Sequence, residues 1–250
     1  MGTLVLFGAS LIGSAATASV PVQRHLSLAK KLVDTITPAA NDYGSPAKLT
    51  WLGENGLNHS TAVAKCGSFV TELLKRSYAV DFPSWLGSTS PHAACYHDAI
   101  EIEDGFTSIE SIKDVTAGDI VAIRYLDSGC EILTCGTFTG CSSTGHVMLV
   151  AAAPTMIVAT APLIAGTLQY TLQILDATTD PHGSSDSRWK AGPNNTDDQG
   201  VGRGKVRLYV DAGDPMKSIV GYTWSTSSGS QYYTHDKRDL VIGRYVPTYP

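Results

Sequence analysis

A cysteine placed at the start of an amphipathic helix is the feature that most limits what this chain can become. In Ala64-Lys65-Cys66-Gly67-Ser68-Phe69-Val70-Thr71-Glu72-Leu73-Leu74-Lys75-Arg76-Ser77-Tyr78, the residues Phe69, Val70, Leu73, Leu74 and Tyr78 recur at helical spacing. The helix therefore buries one face, and Cys66 sits in its first turn. The unpaired N–H groups and positive dipole end there favour thiolate over thiol and bring a cysteine from about 8.5 towards roughly 3.5–7.5. Lys65 adds a neighbouring positive charge.

The cysteine count supports a special role for Cys66. The chain has five cysteines, Cys66, Cys95, Cys130, Cys135 and Cys141. An odd number in an exported chain leaves one free thiol, and Cys66 is the one expected. The other four are expected to form two disulfides in any of three pairings, three of them within a loop at 127–144. Zinc is the rival reading of that cluster, but its spacings lack a C-x-x-C knuckle. Neither a metal nor a cofactor is expected.

Export is suggested by the apolar run Thr3 to Ile12 leading into Ala16-Thr17-Ala18, a small-x-small pattern cut before Ser19. Residues 1–18 are thus expected to be a signal peptide and 19–250 a single domain, which makes the protein secreted or periplasmic. The net charge is −5 and no basic run is present, which argues against nucleic acid or an anionic membrane as partner. No segment reads as an integral membrane anchor, and a monomer is expected.

Along the chain, Gln23 to about Thr37 reads as a packing helix with Leu26, Ala29, Leu32, Val33 and Ile36 on one face, stopped by Pro38. The stretch 39–63 has no sustained period and reads as a surface loop leading to Cys66. Trp51 and His59 on it are candidates to face a substrate. Residues 80–91 read as a loop whose Phe82 and Trp85 wall a groove, and 92–100 as a short helix.

Three strands follow. Ile120 to Tyr125 is entered through Gly118-Asp119, and Gly145-His146-Val147-Met148-Leu149-Val150 is opened by a histidine after a glycine. Gln169 to Asp176 ends on a carboxylate. If this strand lies beside that of His146, Asp176 meets the imidazole and orients it. His182, in the turn-rich segment beyond, is the second candidate for that place. Residues 186–204 read as a polar run, with strands at 205–210, 219–224 and 240–245. Arg188, Arg203 and Arg244 are the arginines considered for a substrate carboxylate.

Cysteine at a helix start, Gly-Asp-Ile at a strand start, Gly-His-Val at the next strand and a polar residue ending a third resemble the NlpC-type papain-like cysteine peptidases and amidases of bacterial cell walls, relatives of the CHAP amidases. The resemblance spans about residues 65–176 and is carried most specifically by Cys66-Gly67-Ser68-Phe69-Val70 and Gly145-His146-Val147. It implies an α+β papain-like fold, an antiparallel sheet packed against an N-terminal helical part that carries the cysteine helix. It also implies Cys66 as nucleophile, His146 as general base and Asp176 as third member, acting on a peptide bond of peptidoglycan. His182, Arg188, Trp51 and His59 are the substrate-binding candidates. The alternatives are a binding protein on an inactive scaffold of that kind, a thiol acyltransferase and a protein-directed peptidase.

Overall fold

A computed structural model describes residues 23–191, 198–214 and 216–247. The expected signal segment, residues 1–18, lies outside them. The amphipathic N-terminal segment forms α1 (Arg24–Thr35), with Leu26, Ala29 and Leu32 buried. Next come β1 (Ile36–Asp42), β2 (Lys48–Thr50) and β3 (Ser60–Val63), then the cysteine helix α2 (Cys66–Tyr78), the short α3 (Phe82–Leu86) and α4 (Ala93–Glu101). Beyond them the chain is almost wholly extended. The strands are β4 (Phe106–Ser108), β5 (Ile120–Tyr125), β6 (Glu131–Thr134), β7 (Thr137–Thr139), β8 (Gly145–Val150), β9 (Thr155–Ile157), β10 (Thr167–Thr178), β11 (Gly200–Asp211), β12 (Ile219–Thr223), β13 (Tyr232–Thr234) and β14 (Arg238–Tyr245).

The expected fold class is corrected here. A nine-stranded antiparallel sheet dominates the molecule, in the order β13-β12-β11-β10-β8-β5-β14-β4, with β9 also paired to β10. The four α-helices are short and too few for a helix-packed papain-like α+β arrangement. The physical cause is the pattern of the strands. Along β8, Val147 and Leu149 join one core while Met148 and Val150 join another, and β5 divides Ile120 and Ala122 from Val121 and Ile123 in the same way. A sheet that is apolar on both faces has to be covered on both.

The helices α1, α2 and α4 cover one face, where Leu26, Phe69, Leu73 and Tyr96 pack on Val147, Leu149 and Leu175. The other face closes on itself. Leu172, Ile174, Val206, Leu208, Leu240 and Ile242 pack together under Ile109, Ile112 and Tyr222. The sheet curls until Tyr233 of β13 and Tyr125 of β5 lie against the guanidinium of Arg238 on β14, at 3.8 and 4.2 Å from ring centre to carbon.

Two loop readings also need correction. The stretch 39–63 is not a surface loop throughout, since β1, β2 and β3 form a small sheet there with β3 central. Trp51 is 3% exposed and donates its indole N–H to the carbonyl of Leu28 at 2.8 Å, so it is core and faces no substrate. Residues 80–91 contain α3, capped by the Asp81 side chain. Phe82 is fully buried against Trp85 and Tyr96 rather than walling a groove.

Two disulfides resolve the open pairing. Cys95–Cys135 ties the β6–β7 hairpin to α4, and Cys130–Cys141 closes the base of that hairpin, with Cα separations of 5.5 and 5.0 Å. All four of these sulfurs are thereby withdrawn from metal binding. Cys66 is free. Among the described residues, no helix is long and apolar enough to cross a membrane.

Candidate active site

Cys66 occupies the first position of α2, with Ser68 closing the N-terminus by accepting the backbone N–H of Lys65 at 2.9 Å. Gly67 is required beside it. A Cβ there would overlap the carbonyl oxygen of Pro91, so only glycine lets the helix start seat against the 91–92 turn. Gly145 plays the same part for the histidine. It has φ +150°, and a Cβ would overlap the carbonyl oxygen of Ile123 on the paired strand.

His146 follows on β8, and β10 pairs antiparallel with β8 through Ile174↔Val150 and Leu175↔Leu149. That register brings Asp176 beside the ring. The Nε2 of His146 donates to Asp176 Oδ2 at 2.7 Å, and its remaining nitrogen is left for Cys66, whose charge acts on the ring. The structure thus brings Cys66, His146 and Asp176 together from a helix start and two neighbouring strands.

Electrostatics at the pair favour the ionic form. Burial pushes the Cys66 thiol up, but the charge of His146 and the backbone N–H groups of Val147 and Gly67 outweigh it and hold the thiol below its usual value. His146 is raised to about 9: burial opposes the charged ring, and the Cys66 thiolate together with the Asp176 hydrogen bond overcomes it. Asp176 is fully buried, which alone would raise it. The charges of Arg188 and His182 and the hydrogen bonds of both imidazoles hold it well below the usual carboxylate range.

His182 and Arg188 lie inside this support and not on a substrate surface, which corrects both expectations. His182 is fully buried, with Nε2 on Asp176 Oδ2 at 3.0 Å and Nδ1 on the carbonyl of Trp224 at 2.7 Å. Arg188 is 2% exposed and bridges two carboxylates, reaching Asp176 Oδ1 at 2.8 Å and Asp186 Oδ2 at 2.7 Å. Removing it would take from Asp186 its ion-pair partner and leave Asp176 with the two imidazoles alone, the costly way to break such a cluster. Arg203 pairs with Asp34 at 2.7 Å and Arg244 with Asp119 at 2.9 Å, so neither is held for a substrate. His59 bonds its neighbour Asn58 and lines neither cavity described next.

Four contributing residues escape a reading of the sequence. Tyr43, which follows β1, lines the same cavity as Cys66, and its phenol lies within reach of the thiolate's charge. Burial first, then the charge of the thiolate, raises it well above an ordinary tyrosine, so it remains an O–H donor. Trp224 stacks on His182 at 4.0 Å between ring centres and meets His146 edge-on at 4.9 Å. Gly202 and Gly204 of β11 make room for the support: a Cβ at 204 would lie 2.6 Å from the His182 ring, and one at 202 would lie 2.5 Å from Arg188 Nε. Alternating glycines at 200, 202 and 204 were the one legible trace, a strand whose inner face admits no side chain.

The site opens on both sides. One cavity of about 350 Å³ is lined by Cys66 with Ser45, Pro91, His92 and Phe138, and a second of about 570 Å³ by His146 with Tyr125, Trp224, Tyr233 and Arg238. Tyr43, Ser142, Ser143 and Gly145 line both, so the two are halves of one groove. The β6–β7 hairpin walls the first half through Gly136 and Phe138.

As metal donors, the ligand atoms of His146, Asp176 and His182 lie within 4.8 Å of one another, as do those of His97, Asp98 and Glu101. In the first group, both histidines already bond one oxygen of Asp176 and Arg188 holds the other, an arrangement satisfied by protons. A cation there would have to displace those hydrogen bonds and meet the buried Arg188 charge.

No protein-family model matches the chain, and no solved structure matches it. Among curated proteins it is similar to the uncharacterized protein R653 of Acanthamoeba polyphaga mimivirus, with 29% identity over 192 residues that cover 73% of this chain and 78% of that one.

Proposed function

We propose that this protein is a thiol hydrolase of amide bonds that works through Cys66, His146 and Asp176. One observation carries the reading. A free cysteine at a helix N-terminus is set beside an imidazole, each favouring the other's charged form, the ring's Nε2 donates to a fully buried carboxylate at 2.7 Å, and the cysteine lines a groove. A structural cysteine has no use for that chain of partners.

In the ground state the pair is thiolate and imidazolium. The thiolate attacks an amide carbonyl, a carbon–sulfur bond forms and the carbonyl π electrons move onto oxygen. The backbone N–H of Cys66 and the phenol of Tyr43 are the donors for that oxyanion. As the tetrahedral adduct collapses, the carbon–nitrogen bond breaks, and His146 gives its proton to the departing nitrogen. Water then attacks the thioester, losing one proton to His146. The acid is released and the thiolate–imidazolium pair is restored. Asp176 holds the ring in the orientation needed for both transfers.

Two disulfides fit an oxidising compartment, and with the apolar N-terminal run they support a secreted or periplasmic location. The resemblance of the Cys66 and His146 segments to NlpC-type enzymes makes peptidoglycan stem peptides the first substrate to offer.

Iodoacetamide alkylation across pH tests the activated thiol. Cys66 should react fast well below pH 8, and His146→Ala should move that reactivity up to the range of an ordinary thiol. Equal profiles in the two proteins would remove the catalytic pair. Release of stem peptides from purified sacculi by the wild type but not by Cys66→Ala tests the substrate.

A further inference from the structure

The two halves of the groove are chemically unlike, and the catalytic groups assign a side to each. The acyl carbon bonds the sulfur of Cys66, so the acyl fragment lies on the cysteine side. The departing nitrogen must come within proton-transfer reach of His146, so the amine fragment lies on the histidine side. That side is the half of about 570 Å³ that holds Trp224, Tyr125, Tyr233 and Arg238, a size suited to one or two amino-acid residues.

Arg238 is the cation of this half. Its guanidinium lies over the ring of Tyr125 at 4.2 Å and that of Tyr233 at 3.8 Å, which covers the faces of the plane and leaves the edge for hydrogen bonds. Its Nε is buried and turned to Asp127 at 3.6 Å, and Tyr222 lies against the guanidinium as well, so the two terminal nitrogens are the ones left to face the groove. Asp180, exposed, is the acid that lines the same half. A half-buried guanidinium in contact with two aromatic rings is restricted in motion, and its planar fork binds a carboxylate through two parallel N–H groups.

We infer that the amine-side half-groove recognises a carboxylate on the leaving fragment through Arg238, so that the amine released is an amino acid or short peptide bearing a free carboxylate, at its C-terminus or on its side chain. The inference rests on the thiol-hydrolase reading above and adds the chemistry of one half of its substrate.

Because amide cleavage runs backwards through the same site, an amine that fits this half should capture the acyl-enzyme better than water or an ill-fitting amine does. In that step the amine nitrogen attacks the thioester, His146 accepts the proton lost from nitrogen, the new carbon–nitrogen bond forms and the thiolate leaves. N-acetylglycine p-nitrophenyl ester loads the acyl group without using the amine half, and p-nitrophenolate release that is absent in Cys66→Ala reports loading. Alanine, glutamic acid α-amide and alaninamide are then offered at equal free-amine concentration, and the acetylglycyl products are measured by mass spectrometry.

In the wild type, alanine or glutamic acid α-amide should give at least tenfold more product than alaninamide. Capture of alanine marks a terminal carboxylate, and capture of glutamic acid α-amide marks a side-chain one. In Arg238→Gln the ratio should fall towards one, with Arg238→Lys between. A wild-type ratio near one, or a ratio unchanged in a folded Arg238→Gln, overturns the carboxylate assignment alone. The wild-type ratio decides the matter even where the variant does not fold. If no Cys66-dependent p-nitrophenolate is released, no acyl-enzyme exists and the hydrolase reading falls with it.

Discussion

At Cys66 two opposed effects meet: burial disfavours the thiolate, and a neighbouring imidazolium with two backbone N–H groups favours it more strongly. The same thiolate raises His146 to about 9. The acyl-transfer rate should therefore follow a bell in pH. It rises on the acid side as Cys66 loses its proton, below the range of a free thiol. It falls on the alkaline side through about pH 9, where His146 loses the proton it must give to the leaving nitrogen. Measured kcat/KM from pH 4 to 10 checks both limbs. An alkaline limb unmoved in Asp176→Asn would contradict the pairing, because removal of the carboxylate charge has to lower His146. Tyr43 carries a second expectation. Tyr43→Phe removes one of two oxyanion donors and should reduce kcat by about 10²-fold, the scale of such a loss, with KM little changed. Cys66, His146 and Asp176 could be named from the sequence because each stands at the start or end of a strongly patterned element. Tyr43 could not, since it lies in irregular chain after β1 and reaches the sulfur only through the packing of the small sheet.

Among the elements, β10 and β11 do most to build the support of the site. They pair over twelve positions, from Thr167↔Asp211 to Thr178↔Gly200, and set Asp176 opposite Gly202. Gly204→Ala should force the His182 ring or Asp186 aside, since the new Cβ would lie 2.6 and 2.7 Å from them. A loss of about 1–3 kcal/mol is expected in chemical denaturation, as for overpacking in general. Gly213→Ala serves as a contrast, because its nearest neighbour, Asp211 Oδ1, stands 3.4 Å away, and it should shift stability by less than about 0.5 kcal/mol. The sequence marks β11 only from 205 to 210, because Gly200 to Gly204 carries no alternating apolar pattern to mark the strand's beginning. The small sheet β1-β3-β2 was missed for a related reason: strands of three to seven residues with half-exposed faces leave little periodic signal.

Over the whole molecule, helices and sheet are joined through buried charge as well as through apolar packing. His97 of α4 is 2% exposed and meets Asp98 at 3.1 Å and Asp239 of β14 at 3.2 Å. Burial lowers it, but the carboxylates of Asp239 and Asp98 paired with it raise it to about 9. A histidine raised above its unfolded value of about 6.5 contributes stability that is fully present below pH 6.5 and is lost as pH climbs through 9. Urea midpoints should thus fall between pH 6.5 and 9 more steeply in the wild type than in His97→Gln, and parallel curves would remove the assignment. His235 is also raised by Asp239 and is held back by the charge of His97, so its titration is followed by NMR in both proteins and its share subtracted.

Local pattern alone determined the helix that begins at Cys66, the strands that begin at His146 and end near Asp176, and that one of the five cysteines is left unpaired. Each follows from backbone propensity, hydrophobic period or cysteine parity, and these act within a few residues. Which sulfurs pair, how the nine strands order themselves, and that the sheet rather than the helices dominates were decided only in three dimensions. So were the burial of Trp51, His182 and Arg188 and the reach of Tyr43 and Arg238 into the groove. Those depend on which distant faces exclude water together, and no residue's own period records the identity of its partner across the core.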